Sequence, residues 1–82
     1  MPEVFRVGAL IFFLWSNEGR EPPHVHVRKG SRTSDAIGKW WLNPIAHVSA
    51  NGFTPAELRT INRTIVERLE EIMNAWRKHF ES

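Results

Sequence analysis

The spacing of apolar and polar side chains changes along the chain and predicts a sheet that is followed by a helix. Residues 4–15 are apolar at every odd position from Phe5 to Trp15, and several of the even positions are apolar as well. A strand with two apolar faces is usually covered on both sides. We therefore predict one buried first strand over this segment, with Gly8 as a bulge or bend within it.

A second strand is predicted from residue 24, directly after the rigid proline pair at positions 22 and 23. Apolar and polar side chains alternate there with a period of two, which places Val25 and Val27 on one face. The other face carries His24, His26 and Arg28. This pattern is typical of a strand whose valine face is buried.

A third strand is predicted over residues 34–42, after a hairpin turn over residues 29–32. If that turn is centred near Ser31, the small residues Ala36 and Gly38 lie beside the two histidines and leave open space above them. Residues 45–52 are predicted to be a connector, with a short fourth strand over residues 46–48 as the alternative.

The start of a helix is signalled by a complete set of capping residues. Thr54 is suited to the N-cap, Pro55 to the first helical position, and Glu57 to the return hydrogen bond of a capping box. An apolar stripe with spacings of three and four residues then predicts a helix over about residues 55–80. The stripe consists of Leu58, Ile61, Ile65, Leu69, Ile72, Trp76 and Phe80.

Such a helix is about 40 Å long, whereas a typical strand is roughly 17–20 Å long. We therefore expect its end, with Trp76 and Phe80, to overhang the sheet and to need a partner. Together the elements predict one α+β domain over residues 1–82, with the sheet at about 4–48. The sheet is antiparallel with three strands, or four, and a single long C-terminal helix covers one of its faces.

Composition narrows the classes of protein that remain. The chain has 82 residues and no cysteine, which excludes disulfide bonds, thiolate metal sites and cysteine nucleophiles. A chain without cysteine fits a reducing compartment, and we predict a cytoplasmic protein. The apolar run over residues 7–15 is much shorter than the roughly 20 residues that cross a bilayer, so we predict no membrane association.

Charge points to one short segment. The formal net charge of +2 is too small to indicate a nucleic-acid-binding protein by itself. However, Arg28, Lys29 and Arg32 lie within five positions, next to the histidine pair. Two histidines on one side of a strand, beside cations that bind phosphate, are suited to proton transfer on a phosphodiester.

The candidate catalytic residues are therefore His24, His26 and Arg28, and the candidate binding residues are Lys29, Arg32 and Trp41. Trp41 is included because Trp40 and Trp41 point to opposite faces of their strand, so that one can stack a base while the other packs in the core. The simpler alternative is that both tryptophans are core residues and that the basic residues form a solvated turn.

A metal site is the second chemical alternative. Two imidazoles can share a metal ion, but a third ligand is required. The residues of suitable type have no diagnostic spacing; they are Glu18, Glu21, Asp35, His47 and His79. We assign no metal ligand and no cofactor.

Several short motifs, in order along the chain, resemble one bacterial family. They are Pro22-Pro23-His24-Val25-His26-Val27, Lys39-x-Trp41-Leu42-x-Pro44, Gly52-Phe53-Thr54-x-x-Glu57-Leu58 and the terminal segment 76–80. This succession is similar to domain-of-unknown-function family 4160 and extends from the N-terminus to Phe80. The doubled Trp40-Trp41 departs from the single aromatic residue expected before Leu42.

The resemblance implies a component of a small bacterial two-gene module of the toxin–antitoxin type, encoded beside another short protein, and assigns no catalytic residue. We accordingly predict a toxin-like or regulatory component that acts on RNA through the histidine side of the strand and binds a small cognate protein. A non-enzymatic protein-binding module and a small histidine-based metal-binding domain stay open as alternatives. A homodimer through the sheet face or the helix end is also predicted.

Overall fold

The computed structural model describes residues 3–15, 20–30 and 35–80 and has an α+β fold. Five strands come first, and they are β1 (Glu3–Val7), β2 (Leu10–Phe13), β3 (His24–Lys29), β4 (Ile37–Leu42) and β5 (Ile45–Asn51). Helices α1 (Pro55–Glu67) and α2 (Leu69–Phe80) follow. Each strand pairs antiparallel with the next, in the order β1-β2-β3-β4-β5. The α+β class is confirmed, but three or four strands and a single helix were wrong.

The predicted first strand is a hairpin of two strands. Gly8 has a φ of +59°, which glycine adopts without the steric cost of a Cβ, and Val7 pairs with Leu10 across the two-residue turn. Both halves of the segment are apolar, so their hydrophobic pattern continues through the turn. At the other edge, the short strand expected at residues 46–48 is part of the longer β5, which Asn43 and Pro44 join to β4.

The core lies between one face of the sheet and the two helices. Its side chains from β2, β3 and β4 alternate with those of the opposite face, as the period of two requires. The buried members are Leu10, Phe12, Leu14, Val25, Val27, Trp40, Leu42, Ile61, Ile65, Ile72 and Trp76. Trp40 is fully buried, and its indole N–H donates to Asn62 Oδ1 of α1 at 3.1 Å. That bond satisfies the polar atom of the largest fully buried side chain.

The predicted capping box is present at the start of α1. The Glu57 backbone N–H donates to Thr54 Oγ1 at 3.1 Å, and the Thr54 N–H donates to Glu57 Oε1 at 2.8 Å. Two of the amide groups that a helix start leaves without helical partners are thereby satisfied. The cap fixes α1 beside the end of β3, where Lys29 forms an ion pair with Glu57 at 2.9 Å.

The predicted single helix is interrupted at Arg68, whose φ of −117° departs from helical geometry. Residues 55–80 as one straight helix would be about 39 Å long, and the longest dimension of the molecule is 34 Å. The Arg68 guanidinium packs 3.6 Å from the centre of the Phe5 ring, so the residue at the break is in contact with β1. None of the helices in the described segments is long and apolar enough to span a bilayer.

The break keeps α2 over the sheet, so the predicted overhang was wrong. Trp76 is buried, with its ring centre 4.9 Å from that of His24 and 4.1 Å from that of Phe80. The reason for expecting a partner at the helix end is therefore removed.

Gly38 should be required for the packing of Trp40. A Cβ at position 38 would stand 2.5 Å from Trp40 Cζ3 and 2.8 Å from the Ser49 carbonyl oxygen. We expect Gly38→Ala to lower the free energy of unfolding by about 1–3 kcal/mol, because the ring and the backbone of β5 must both shift. Urea denaturation measures the loss.

Gly30→Ala is the matched control, because a Cβ there would meet first the flexible end of Ile11, at 3.3 Å. Equal losses of stability in the two variants would contradict the packing of Trp40 described above.

Candidate functional site

The sheet face opposite the helices gathers the predicted site residues by strand register. One row of directly opposed residues crosses four strands, and it consists of Phe13, His26, Lys39 and Ser49. The row on one side of it consists of Ile11, Arg28, Ile37 and Asn51. The row on the other side consists of His24, Trp41 and Ala46. We call these three rows, together with Trp15 at the end of β2, the histidine face.

The register of β3 and β4 differs from the sequence expectation. His24 lies opposite Trp41 and His26 opposite Lys39, so Gly38 and Ala36 are not their partners. A turn centred near Ser31 would have placed Trp40 on the histidine face, whereas the observed register places it in the core. Ser31 and Arg32 themselves lie outside the described residues, so the predicted contribution of Arg32 to phosphate binding stays a prediction.

His24 is held firmly within this face. It is 1% exposed, and its ring centre lies 5.2 Å from that of His26 and 5.7 Å from that of Trp41. Its Nδ1 is 3.0 Å from the carbonyl oxygen of Pro22. Because a carbonyl can only accept, this bond places a proton on Nδ1 and orients Nε2 on the other side of the ring.

His26 lies at the centre of the face and is 4% exposed. Its ring stacks on Phe13 with centres 5.5 Å apart, and the Trp15 ring lies 4.3 Å away at a tilt of 51°. Neither histidine is therefore an exposed residue on the surface of the sheet. Both are packed among aromatic rings, and His26 also lines an open pocket.

This pocket has a volume of about 270 Å³, and its lining is Trp15, His26, Ile37, Gly38, Lys39, Ser49 and Asn51. Lys39 forms an ion pair with Glu21, and its Nζ lies 4.7 Å from the centre of the Trp41 ring. A second pocket of about 200 Å³ shares Ile37 and is lined by Arg28, Lys29, Asp35 and Ala36. The two pockets make the histidine face concave beside both His26 and Arg28.

The structure brings together four of the six predicted site residues. His24, His26, Arg28 and Trp41 share the histidine face. Lys29 points to the helix side, where it pairs with Glu57. The pKa of the Glu57 carboxyl lies below its ordinary value, mainly because of the Thr54 N–H and then because of Lys29. This ion pair gives Lys29 a part in anchoring the helix start.

Arg28 is half-buried and occupies the row next to His26. Its positive charge contributes to the lowered pKa of Glu3, although the hydrogen bond from Arg6 to that carboxylate is the largest cause. Arg28 is thus the predicted phosphate-binding cation that lies on the histidine face.

Sequence reasoning missed several members of the site. They are Trp15, Lys39, Ser49, Asn51 and Trp76. Trp15 shares the odd-numbered face of Phe13, which would have indicated its position once β2 was recognised as a separate strand. Ser49 and Asn51 required the full length and register of β5, and Trp76 required the helix break.

Residues 3–15, 20–30 and 35–80 contain no group of three or more histidine, cysteine, aspartate or glutamate side chains suited to hold a metal ion. Glu18, one of the acidic residues considered above, lies outside them.

Comparison with known proteins identifies the family. The sequence model described as "Domain of unknown function (DUF4160)" matches residues 9–77 of the chain. The chain belongs to the DUF4160 family. No curated protein and no solved structure matches it. The matched segment of this DUF4160 domain runs from the first hairpin into α2 and includes every strand of the histidine face.

His24 should support the DUF4160 fold through its bond to Pro22. His24→Ala removes a buried ring and leaves the Pro22 carbonyl without this donor, so we expect a loss of about 2–5 kcal/mol in the free energy of unfolding. His24→Asn keeps an N–H at the position of Nδ1 and should be about 1 kcal/mol less damaging. Urea denaturation measures both values.

His47→Ala is the control for this pair, since His47 is exposed on β5, and we expect it to change stability by less than about 0.5 kcal/mol. If His24→Asn were as destabilising as His24→Ala, the bond to Pro22 would not contribute.

Proposed function

We propose that this protein is a toxin-like component of a small bacterial two-gene module, and that it acts on single-stranded RNA through the histidine face. One observation carries the proposal. His26 reaches an open pocket between the Trp15 ring and Lys39, one row away from Arg28. An imidazole for proton transfer, an aromatic surface for a base and a cation for phosphate are thus adjacent.

RNA supplies its own nucleophile, so the reaction needs only proton transfer and phosphate binding. In the proposed step the His26 imidazole accepts the proton of a ribose 2′-hydroxyl, and the 2′-oxygen forms a bond to phosphorus. The bond from phosphorus to the 5′-oxygen breaks, and the same proton passes to that oxygen. A cyclic phosphate and a 5′-hydroxyl result, with no oxidant, reductant or further reactant.

The charges of the face favour a short single strand over a duplex. Lys39 is already paired with Glu21 and Lys29 with Glu57, which leaves Arg28 as the main cation of the two pockets for a phosphate. Duplex binding generally relies on several phosphate contacts, whereas single strands also gain affinity from stacking on aromatic rings. The net charge of +2 agrees with the second mode.

The proposal includes a small cognate protein that neutralises the activity and a cytoplasmic location, where RNA is available. A homodimer through the sheet face would cover the histidine face, so we propose it only as an alternative to RNA binding there and not as part of the same arrangement. A homodimer through the helix end is not proposed, because Trp76 is already buried against His24.

A second function is favoured by the burial of both histidines. Rings that are 1% and 4% exposed and packed against aromatic neighbours can serve the fold alone. The histidine face would then be a protein-binding surface of a non-enzymatic regulatory module. The two proposals differ in whether the folded protein needs the His26 imidazole for its activity.

The test uses His26→Gln, which removes the imidazole but keeps a polar side chain, and His47→Gln as the matched control on an exposed position of β5. Purified protein is incubated with end-labelled single-stranded RNA, and the same chains are induced in bacteria. We expect cleavage and growth arrest with wild type and His47→Gln. His26→Gln should lower the cleavage rate by about 10²-fold or more.

Circular dichroism must show that both variants are folded. Cleavage that survives unchanged in folded His26→Gln, or no cleavage by wild type, would contradict the RNA proposal and leave the protein-binding module.

A further inference from the structure

Trp15 combines exposure with a fixed position. Its side chain is 40% exposed, although its ring contacts both His26 and Phe13, whose ring centre lies 5.5 Å away at an interplanar angle of 74°. A large aromatic ring that is fixed on one side and accessible at a polar pocket provides a surface on which another ring can stack.

The opposite wall of this pocket carries hydrogen-bonding groups. Ser49 and Asn51 lie on the edge strand β5, and the register turns both toward the histidine face, beside Lys39 and Ile37. An asparagine amide offers two donors and one acceptor, and a serine hydroxyl offers one donor and two lone pairs. Such groups can bond to the edge of a heterocyclic base that carries both donors and acceptors.

The size of the pocket limits what it can hold. Its volume of about 270 Å³ lies just below the roughly 300–1,000 Å³ of pockets that enclose drug-sized ligands. One ring system with its substituents fits this space better than a larger ligand. Ile37 separates the pocket from the one lined by Arg28, so a phosphate attached to the bound ring can lie beside that cation.

We propose that this pocket is a nucleobase subsite, in which one base stacks on Trp15, bonds through its edge to Asn51 and Ser49, and directs its phosphate toward Arg28. The inference rests on the proposed function and deepens it, because it names the residues that choose the base. Asn51 is the specificity-determining residue, since its planar amide presents two donors and an acceptor in fixed directions, whereas the Ser49 hydroxyl rotates to suit either kind of partner.

Calorimetric titration with each of the four ribonucleoside 5′-monophosphates tests the subsite, and ribose 5-phosphate serves as the ligand without a base. We expect at least one nucleotide to bind, and ribose 5-phosphate to bind at least about tenfold more weakly, because stacking contributes much of the affinity. Trp15→Ala should weaken the nucleotide by about tenfold, and Trp15→Phe should weaken it less.

Asn51→Ala should reduce the difference in affinity among the four nucleotides, whereas Asn74→Ala, on the exposed surface of α2, should leave it unchanged. Asn51 is exposed, so its variant should fold even if Trp15→Ala does not. The inference is overturned if nucleotides and ribose 5-phosphate bind equally, if none binds at millimolar concentration, or if Asn51→Ala keeps the base preference.

The outcomes separate this inference from the cleavage reaction. Nucleotide binding with the expected base dependence, but without RNA cleavage, would support the subsite and refute the proposed reaction. RNA cleavage that depends on His26, without base-dependent nucleotide binding, would support the proposed reaction and refute the subsite.

Discussion

The pairing of β3 with β4 is the constraint on which the rest of the structure depends. Val25 and Val27 are completely buried beneath the helices, so the intervening residues of β3 must point to the opposite face. The register then decides which tryptophan joins the histidines. A slip by one residue would exchange Trp40 and Trp41 between the two faces, and would separate the Trp40 indole from Asn62 of α1.

Gly38 and the break at Arg68 allow aromatic side chains to pack against both faces of the sheet. The first leaves room for the Trp40 ring on the helix side, and the second brings Trp76 to the end of the sheet against His24. The histidines consequently sit in a fixed aromatic environment while the pocket beside His26 stays open. The same packing that stabilises the sheet thus orients the groups to which we assign binding and proton transfer.

The sequence predicted the features that depend on local patterns. The capping box at Thr54, a helical segment that reaches Phe80 and the division of β3 into a valine face and a histidine face are confirmed. The hairpin at Gly8 was missed because apolar residues continue on both sides of the turn. The helix break was missed because the apolar stripe continues through Arg68, and only contact with Phe5 and the size of the sheet require it. The site residues on β5 depend on long-range register, which no local pattern contains.

The histidine face is ordered in rows, with His26 opposite Lys39 and Lys39 opposite Ser49. Nuclear Overhauser spectra of the isotope-labelled protein in solution test this order most directly. We predict cross-strand backbone contacts for these two pairs and ring contacts from His26 to Trp15 and from His24 to Trp76. Backbone contacts that instead pair His26 with Ala36, with Trp40 among the rings near the histidines, would contradict the account.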